Sequence, residues 1–147
     1  MAYNYDKFNT NMTAFVNENN IKSNTGYLLI TSLKNKFTYV YIYKNNWELE
    51  YKWSCTVGKP STPTIKGVFS VGVKYPAIGT DTSSAKYAIN IVEDYYYHSI
   101  IYDEKGFNIK DDRLGVAISH ECIRLATSSS KWIYENVPIE TMVIIRK

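Results

Sequence analysis

Residues 120–124, "HECIR", place a histidine, a glutamate, a cysteine and an arginine within five consecutive positions. In a strand, residues two apart point to the same side, so His120, Cys122 and Arg124 would share one face and Glu121 would point away. An imidazole beside a thiol can take its proton, which activates a group whose free pKa is about 8.5. Arg124 would then offer a fixed cation to a substrate carboxylate. The segment predicts a cysteine nucleophile with a histidine base.

Two other interpretations of this cluster stay open on the residues alone. One is a buried free cysteine beside a histidine satisfied in the core, without chemistry. The other is a zinc site made of His98, His120 and Cys122, because zinc accepts such ligands. However, the chain has no second Cys/His pair with zinc-finger spacing and no C-x-x-C of the deaminase kind. We therefore expect no metal and no cofactor.

The composition is that of an ordinary globular domain. The 147 residues are 45% apolar and 21% charged, and the formal charge is +3 without a basic run, so we expect no nucleic-acid partner. No apolar run approaches the ~20 residues of a membrane-spanning helix. The first twenty residues lack the features of a signal peptide, which indicates an intracellular protein or a trimmed piece of a longer one. We expect a monomer.

Strand patterns dominate from residue 27 onward. The segments 27–33, 37–43 and 47–55 are joined by short Asn/Lys turns, which predicts a three-stranded antiparallel meander. In the third segment four apolar residues alternate with charged ones, which predicts one buried face. These apolar residues are Trp47, Leu49, Tyr51 and Trp53. Further strands are predicted at 68–73, 87–92, 95–103, 116–125 and 141–146.

The remaining segments are predicted as helices and loops. Helical spacing of apolar residues over 5–16 indicates a short amphipathic helix. A second helix is predicted over 127–137, with Thr127 or Ser128 as its N-cap and Pro138 ending it. Residues 74–86 are predicted to be a long loop that acts as a lid. The fold class is mainly β, with 1–25 as an N-terminal appendage and 26–147 as one domain.

Two separated motifs resemble the L,D-transpeptidases of bacterial cell walls, the YkuD domain. That family has a histidine followed by Gly or Ser, a spacer, and then Ser/Thr-His-Gly-Cys with Arg or Asn two residues on. "YHSIIYD" supplies the first motif at 97–103, and "SHECIRL" supplies the second at 119–125. Upstream, "CTVGKPSTPTIKGVFSV" at 55–71 is similar to the family's Gly-Lys…Thr-Pro…Gly segment. The resemblance, to the variant common in Gram-positive bacteria, runs from about Tyr27 to Lys147.

The resemblance implies a fold and a reaction. The fold is a YkuD-like β-sandwich of mixed sheets, with one α-helix in the C-terminal half besides the short N-terminal helix. The reaction is acyl transfer on peptidoglycan stem peptides: a donor tetrapeptide acylates Cys122, and the amine of a neighbouring stem accepts the acyl group in a 3→3 cross-link. Water in place of the amine would give an L,D-carboxypeptidase. Carbapenem-type inhibitors are expected to acylate the same cysteine.

The resemblance also implies roles for single residues. Cys122 is the nucleophile, His120 is the general base, and the backbone carbonyl of Ser99 fixes the tautomer of His120. Backbone N–H groups around Cys122 form the oxyanion hole. His98 lines the pocket, Arg124 anchors either the motif or a substrate carboxylate, and Ser119 and Tyr97 are the other substrate-binding positions. For the three tyrosines at 95–97 the residues alone leave two interpretations open: a hydroxyl near the oxyanion, or packing in the strand, which is the favoured one.

Glu121 departs from the family pattern, which nearly always has Gly at this position. Glycine is needed there if the backbone takes a positive φ or if a side chain would block the pocket. A carboxylate beside Cys122 also raises the pKa of the thiol. We therefore hypothesise lowered activity, and a non-catalytic wall-binding homologue is the alternative. Because action at the wall requires export, we expect a trimmed catalytic domain whose parent protein carries the signal or anchor.

Overall fold

The computed structural model describes residues 2–147, with two helices and thirteen strands. The helices are α1 (Met12–Glu18) and α2 (Thr127–Asn136). The strands of the first half are β1 (Tyr27–Ser32), β2 (Phe37–Tyr43), β3 (Trp47–Ser54), β4 (Val57–Gly58), β5 (Gly67–Ser70) and β6 (Lys74–Gly79). Those of the second half are β7 (Ser84–Val92), β8 (Tyr95–His98), β9 (Ile101–Tyr102), β10 (Ile109–Asp111), β11 (Ala117–Ser119), β12 (Ile123–Arg124) and β13 (Met142–Arg146).

The first sheet has the strand order β3-β2-β1-β13-β5. Strands β1 to β3 form the predicted antiparallel meander, and β13 joins parallel to β1, with Leu29 opposite Val143. The second sheet runs β10-β9-β7-β8-β12, and β6 pairs with β7. Within it β12 is parallel to β8, with Arg124 opposite His98. These mixed sheets confirm the predicted fold class.

One core lies between the two sheets. It joins Leu29 and Val40 of the first sheet to Ile89 and Tyr97 of the second, and Ile133 of α2 packs into it. All five side chains are buried, so this core excludes water between the two sheets at these positions. The C-terminal motif strand β12 is thereby anchored on a rigid layer.

A second core covers the opposite face of the first sheet. Phe8, Phe15 and Val16 of the N-terminal segment pack there against Leu28 and Tyr41. The residues before the meander therefore shield one face of the sheet from water. The division of the chain into 1–25 and 26–147 stays a prediction.

The predicted loop at 74–86 is wrong, whereas its role as a lid stays a prediction. Residues 74–79 form β6, which pairs antiparallel with β7, and the Thr80 N–H donates to the carbonyl of Ser83 at 2.8 Å in the turn between them. Pro76 is tolerated because β6 pairs with β7 alone and so lies at an edge of the sheet. Because of that proline and the Ser/Thr-rich turn, the residue pattern of 74–79 did not indicate a strand.

The predicted single apolar face of β3 is also wrong. The register shifts by one residue, because Val40 lies opposite Tyr51 while Tyr41 lies opposite Leu49. This β-bulge reverses the alternation, since an extra residue moves the following side chains to the other face. Trp47 consequently packs into the core beneath α1, whereas Tyr51 packs against the core between the sheets.

Helix α2 ends before Pro138 as predicted but begins differently. Its N-cap is Ala126, whose side chain makes no capping hydrogen bond. The hydroxyl of Thr127 is instead 2.7 Å from that of Tyr102 on β9. The predicted N-cap at Thr127 or Ser128 is therefore wrong, because a tertiary contact uses the hydroxyl of Thr127. No helix within residues 2–147 is long and apolar enough to span a membrane.

Candidate active site

The predicted strand 116–125 is interrupted at its most reactive residues. Strand β11 ends at Ser119 and β12 begins at Ile123, so residues 120–122 form a bend. Glu121 has φ +82°, in the left-handed region that residues with a Cβ rarely adopt. The same-face argument for His120 and Cys122 is therefore wrong. The backbone takes instead the conformation for which glycine is the usual residue.

A network around Ser119 fixes this bend. The Ser119 hydroxyl donates to the carbonyl of Cys122 at 2.6 Å, and the Ser119 carbonyl accepts from Lys59 N at 3.1 Å and Thr62 Oγ1 at 3.0 Å. The loop after Gly58 must pass very close, since a Cβ on that glycine would lie 2.1 Å from the carbonyl oxygen of Thr62. The upstream Gly-Lys…Thr-Pro segment thus supports the nucleophile turn. The hydroxyl of Ser119 is committed to this turn.

Five of the seven predicted site residues line one cavity of about 440 Å³. These five are His98, Ser119, His120, Cys122 and Arg124. The cavity is completed by Ser83, Ile101, Lys110, Asp111 and Ile118. Ser99 and Tyr97 are outside the lining. The sequence prediction therefore brought together residues that share one site, although their roles need revision.

His98 ends β8 and is held in one orientation. The residue is 7% exposed, and Nδ1 lies 2.7 Å from the carbonyl oxygen of Ser99. Because a carbonyl only accepts, Nδ1 must carry the proton, which leaves Nε2 of the neutral ring as an acceptor. Burial, opposed by the Ser99 hydrogen bond and reinforced by Arg124, lowers the pKa of His98 to about 4. The ring is therefore neutral at pH 7.

The predicted contact between the Ser99 carbonyl and His120 is wrong. That carbonyl accepts from His98, because it directly follows His98 at the end of β8. The ring of His120 is exposed on the bend, and no hydrogen bond within residues 2–147 holds it. Of the two histidines, His98 is the one that is buried and held in a fixed orientation.

Cys122 is held as a protonated thiol. Its Sγ lies 3.7 Å from the carbonyl oxygen of Asp94, to which the S–H donates. Burial raises the pKa of the thiol, the backbone N–H of Tyr96 lowers it, and the carboxylates of Glu121 and Asp94 raise it further. The thiol therefore needs a base to become a nucleophile near neutral pH.

Arg124 is a buried cation, and two nitrogens of its guanidinium make no hydrogen bond in the described residues. It is 6% exposed, and its Nη1 lies 3.3 Å from Asp111 Oδ2 in an ion pair whose angle does not make a hydrogen bond. Neither Nε nor Nη1 donates a hydrogen bond to any group in residues 2–147. Asp111 is also bound by Arg113 at 2.8 Å, and these arginines hold the pKa of its carboxyl well below the usual range. Two guanidinium nitrogens of this lining residue, both inaccessible to solvent, thus lack a hydrogen-bond partner.

Two backbone N–H groups on the bend are also unused. Within residues 2–147, those of Glu121 and Cys122 donate to no backbone or side-chain acceptor. A left-handed residue turns successive N–H groups toward a common side, which makes an anion-binding concavity. The bend therefore has the donors that an oxyanion requires.

The substrate-binding assignment of Tyr97 is wrong. The side chain is 0% exposed, and its hydroxyl lies 2.8 Å from Thr31 Oγ1 in the core between the sheets. Asp111 and Ser83 line the cavity but escaped the sequence prediction. The run of charges at 110–113 was the available signal for Asp111, and Ser83 lies within the segment 74–86 that was predicted to act as a lid.

No three His, Cys, Asp or Glu side chains in the described part of the chain come together as a metal-ligand group. The zinc alternative built on His98, His120 and Cys122 consequently lacks a ligand set there. The cavity instead combines a thiol, a neutral imidazole and a guanidinium.

Comparison with known families assigns the chain. The model of the YkuD family, the L,D-transpeptidase catalytic domain, matches residues 26–145. The chain belongs to this family. Its match begins one residue before β1 and includes the whole cavity lining.

The relatives of this YkuD domain are longer chains. Over 54 residues it is 39% identical to YciB of Bacillus subtilis (strain 168), which is provisionally named an L,D-transpeptidase, and the match covers 35% of this chain and 28% of YciB. A fused Zn-dependent amidase/peptidase/peptidoglycan-binding domain-containing protein from Clostridium acetobutylicum ATCC 824 has a similar structure. The TM-score is 0.77 at 36% identity, over 91% of this chain and 57% of that one.

A third relative carries a ligand. L,D-transpeptidase 3 from Mycobacterium tuberculosis, solved with a faropenem-derived adduct, matches with TM-score 0.67 and 21% identity over 83% of this chain and 60% of that one. At this identity the likeness shows the shared fold. All three relatives extend well beyond the part that this YkuD domain covers.

Proposed function

We propose that this YkuD domain is a cysteine-dependent L,D-transpeptidase that forms 3→3 cross-links between peptidoglycan stem peptides. The observation that carries the proposal is the cavity shared by Cys122, the oriented His98 and the underused Arg124. Membership of the family supports the reaction class. Action on peptidoglycan implies that the domain works outside the cytoplasm, at the cell wall.

His98, rather than His120, is the general base in this proposal. Its Nε2 accepts the thiol proton as Sγ of Cys122 attacks the carbonyl carbon of the third stem residue. The Cys122 side chain first leaves its contact with Asp94, since catalytic hydrogen bonds often form only with substrate present. The Ser99 carbonyl steadies the imidazolium that forms. His120 remains a wall of the substrate cavity.

The tetrahedral intermediate places its negative charge on the former carbonyl oxygen. The free N–H groups of Glu121 and Cys122 are the donors proposed to bind it. When the intermediate collapses, the bond to the terminal D-alanine breaks, and the amine that leaves takes the proton from His98 Nε2. The product of this half-reaction is a thioester on Cys122.

Arg124 is proposed to bind a carboxylate of the donor stem. The leaving D-alanine carries such a group, and the planar guanidinium fork matches the two oxygens of a carboxylate. Burial strengthens this interaction, because the low dielectric weakens screening by water. Asp111 lies 3.3 Å from Nη1 and fixes the position of the guanidinium.

The thioester is resolved by a second nucleophile. An amine of a neighbouring stem attacks it in the cross-linking reaction, with His98 taking the amine proton and returning it to the thiolate. Water would give carboxypeptidase activity instead. Glu121 is expected to slow the reaction for two reasons. Its carboxylate raises the pKa of the Cys122 thiol, and its backbone has a strained positive φ.

Intact mass spectrometry tests the proposal. We expect faropenem and a carbapenem each to add one molecule to the protein and to add none to the Cys122→Ala variant. With a disaccharide tetrapeptide substrate, we expect loss of D-alanine and a cross-linked dimer. Retention on purified cell walls without any adduct would support the alternative, a non-catalytic wall-binding homologue.

A further inference from the structure

A second cavity, of about 530 Å³, lies between the end of α1 and the turn joining β2 to β3. It shares no lining residue with the cavity that contains Cys122. The proposed acyl transfer gives it no role. Its walls combine residues on both sides of the start of the family match at residue 26.

The walls of this cavity are fixed by hydrogen bonds. Trp47 Nε1 donates to the carbonyl of Ile21 at 2.7 Å, and the Trp47 backbone exchanges hydrogen bonds of 2.8 and 3.0 Å with the Asn17 amide. The Tyr43 N–H donates to the carbonyl of Gly26 at 2.9 Å. The cavity is therefore pre-formed, which reduces the entropy that a ligand must lose on binding.

Three asparagine amides on these walls are unused. The side chains of Asn20, Asn45 and Asn46 line the cavity, and within residues 2–147 none of them makes a hydrogen bond. Each amide offers both a donor and an acceptor. A ligand that matches them must likewise carry groups that both donate and accept, which hydroxyl and acetamido groups do.

An aromatic ring stands beside the amides. Tyr43 is 53% exposed, and its ring meets that of buried Trp47 edge-on at 5.1 Å between centroids. Trp47 thus contacts the Tyr43 ring, and about half of Tyr43 remains exposed to solvent. An exposed aromatic face with adjacent hydrogen-bonding amides suits a ring that has both C–H faces and hydroxyl edges.

The charge of the lining narrows the class of ligand. Lys22 is the single charged residue among the lining residues described, and no carboxylate is present. A cationic peptide would find no partner there, and a nucleic acid would need a wider basic surface. The lining is suited to a neutral or weakly acidic polar ligand.

We propose that this cavity binds a saccharide, as a subsite for the glycan strand of the wall polymer whose stem peptides enter the catalytic cavity. The inference rests on the proposed function for the source of the saccharide. Its recognition rests on Tyr43 and the three amides. The domain would then hold its substrate by the glycan and the peptide at once, which raises the effective concentration of the peptide at Cys122.

Titration with chitotetraose and with peptide-free glycan strands tests the proposal. We expect saturable binding followed by NMR, with shifts in the side-chain amide signals of Asn20, Asn45 and Asn46. Tyr43→Ala should weaken binding at least tenfold, and Tyr43→Phe should keep most of it because the ring remains. Asn46→Ala should weaken binding several-fold and leave the turn intact, since that turn uses the Asn46 carbonyl.

Asn35→Ala is the matched control, because Asn35 is an exposed asparagine in the turn between β1 and β2. It should bind glycan as the wild type does. No saturable binding by the wild type, or equal binding by Tyr43→Ala, would overturn the proposal. Faropenem adducts on Cys122, measured on the same samples, report the catalytic proposal separately.

Discussion

The end of β8 and the bend at 120–122 each present a histidine to one cavity, but they hold it in different ways. His98 closes a regular strand, is buried, and has its tautomer set by the Ser99 carbonyl. His120 is exposed on a bend whose next residue has a positive φ, and its ring makes no hydrogen bond within residues 2–147. The strand end fixes a side chain, whereas the bend frees backbone N–H groups.

This difference teaches that proximity in sequence is a poor guide to partnership in a site. His120 is two residues from Cys122, yet the ring that we propose as the base lies on the neighbouring strand. The parallel pairing of β12 with β8 places His98 opposite Arg124, and His98 and Cys122 line the same cavity. Side chains on paired strands share a rigid frame that a bend lacks.

The largest difference between the two regions should appear in the acylation rate when each histidine is replaced in turn. We expect His98→Gln to slow faropenem acylation of Cys122 by about 10²- to 10³-fold, the contribution of a positioned general base. We expect His120→Gln to slow it less than about tenfold, because its ring only lines the cavity. Stopped-flow kinetics give the acylation rates of both variants, and intact mass checks the adduct. Equal losses of rate in the two variants would contradict the assignment of His98 as the base.

Arg124 should show the next largest effect. Arg124→Lys keeps the charge but loses the fork of donors, so we expect kcat/KM for the tetrapeptide donor to fall by about ten- to fiftyfold. The loss should appear mainly in KM, because the carboxylate is bound in the ground state. Kinetics of D-alanine release measure it.

The matched control for Arg124 is Arg113→Lys, on the same ion-paired carboxylate but largely exposed. We expect little change there, since an exposed pair contributes about 0–1 kcal/mol. A comparable loss in both variants would mean that the effect runs through Asp111 rather than through substrate binding.

Local pattern was enough to predict the parts of the fold that follow simple alternation. The strands at 27–33 and 37–43 were predicted within a residue, since their apolar runs end at short polar turns. Strand β6 was missed because Pro76 is rare inside sheets. The bulge between Leu49 and Tyr51 depends on pairing with β2, which a single segment does not reveal.

The sequence predicted which residues line the site better than it predicted what each of them does. The two motifs contained Cys122, both histidines and Arg124, all of which line the cavity. Which histidine the Ser99 carbonyl binds depends on how the end of β8 is folded, and spacing along the chain has no information on it. Tyr97 is buried because it faces the first sheet from β8. Which of the three consecutive tyrosines takes that side depends on how β8 packs, and the run itself has no information on it.

The pH dependence of acylation should also distinguish His98 from His120, with a smaller change in rate. Because the pKa of His98 is lowered to about 4, the ring is neutral and able to accept a proton above that pH. We expect acylation to stay flat from pH 8 to 5, halve near pH 4, and fall about tenfold for each further unit. A fall centred near the ordinary histidine pKa of about 6.5 would instead point to a base that is not buried.

Glu121→Gly should produce the smallest change, in the direction of a better enzyme. Removing the carboxylate lowers the pKa of the Cys122 thiol, because that charge is one of the causes that raise it. Glycine also accepts φ +82° without a Cβ penalty, which should stabilise the fold by about 1 kcal/mol. We expect acylation to rise a few-fold, and an unchanged rate would contradict the idea that Glu121 limits turnover.

Glu121→Gln divides this effect into its two causes. The amide removes the charge but keeps the Cβ in the left-handed region, so the thiol pKa should fall while the melting temperature stays that of the wild type. The pH dependence of iodoacetamide alkylation gives the first quantity, and thermal unfolding gives the second. If only Glu121→Gly accelerates acylation, the backbone at the bend controls the reaction. If both variants accelerate it equally, the charge beside Cys122 is the reason, and the N–H groups of the bend were already well placed in the natural chain.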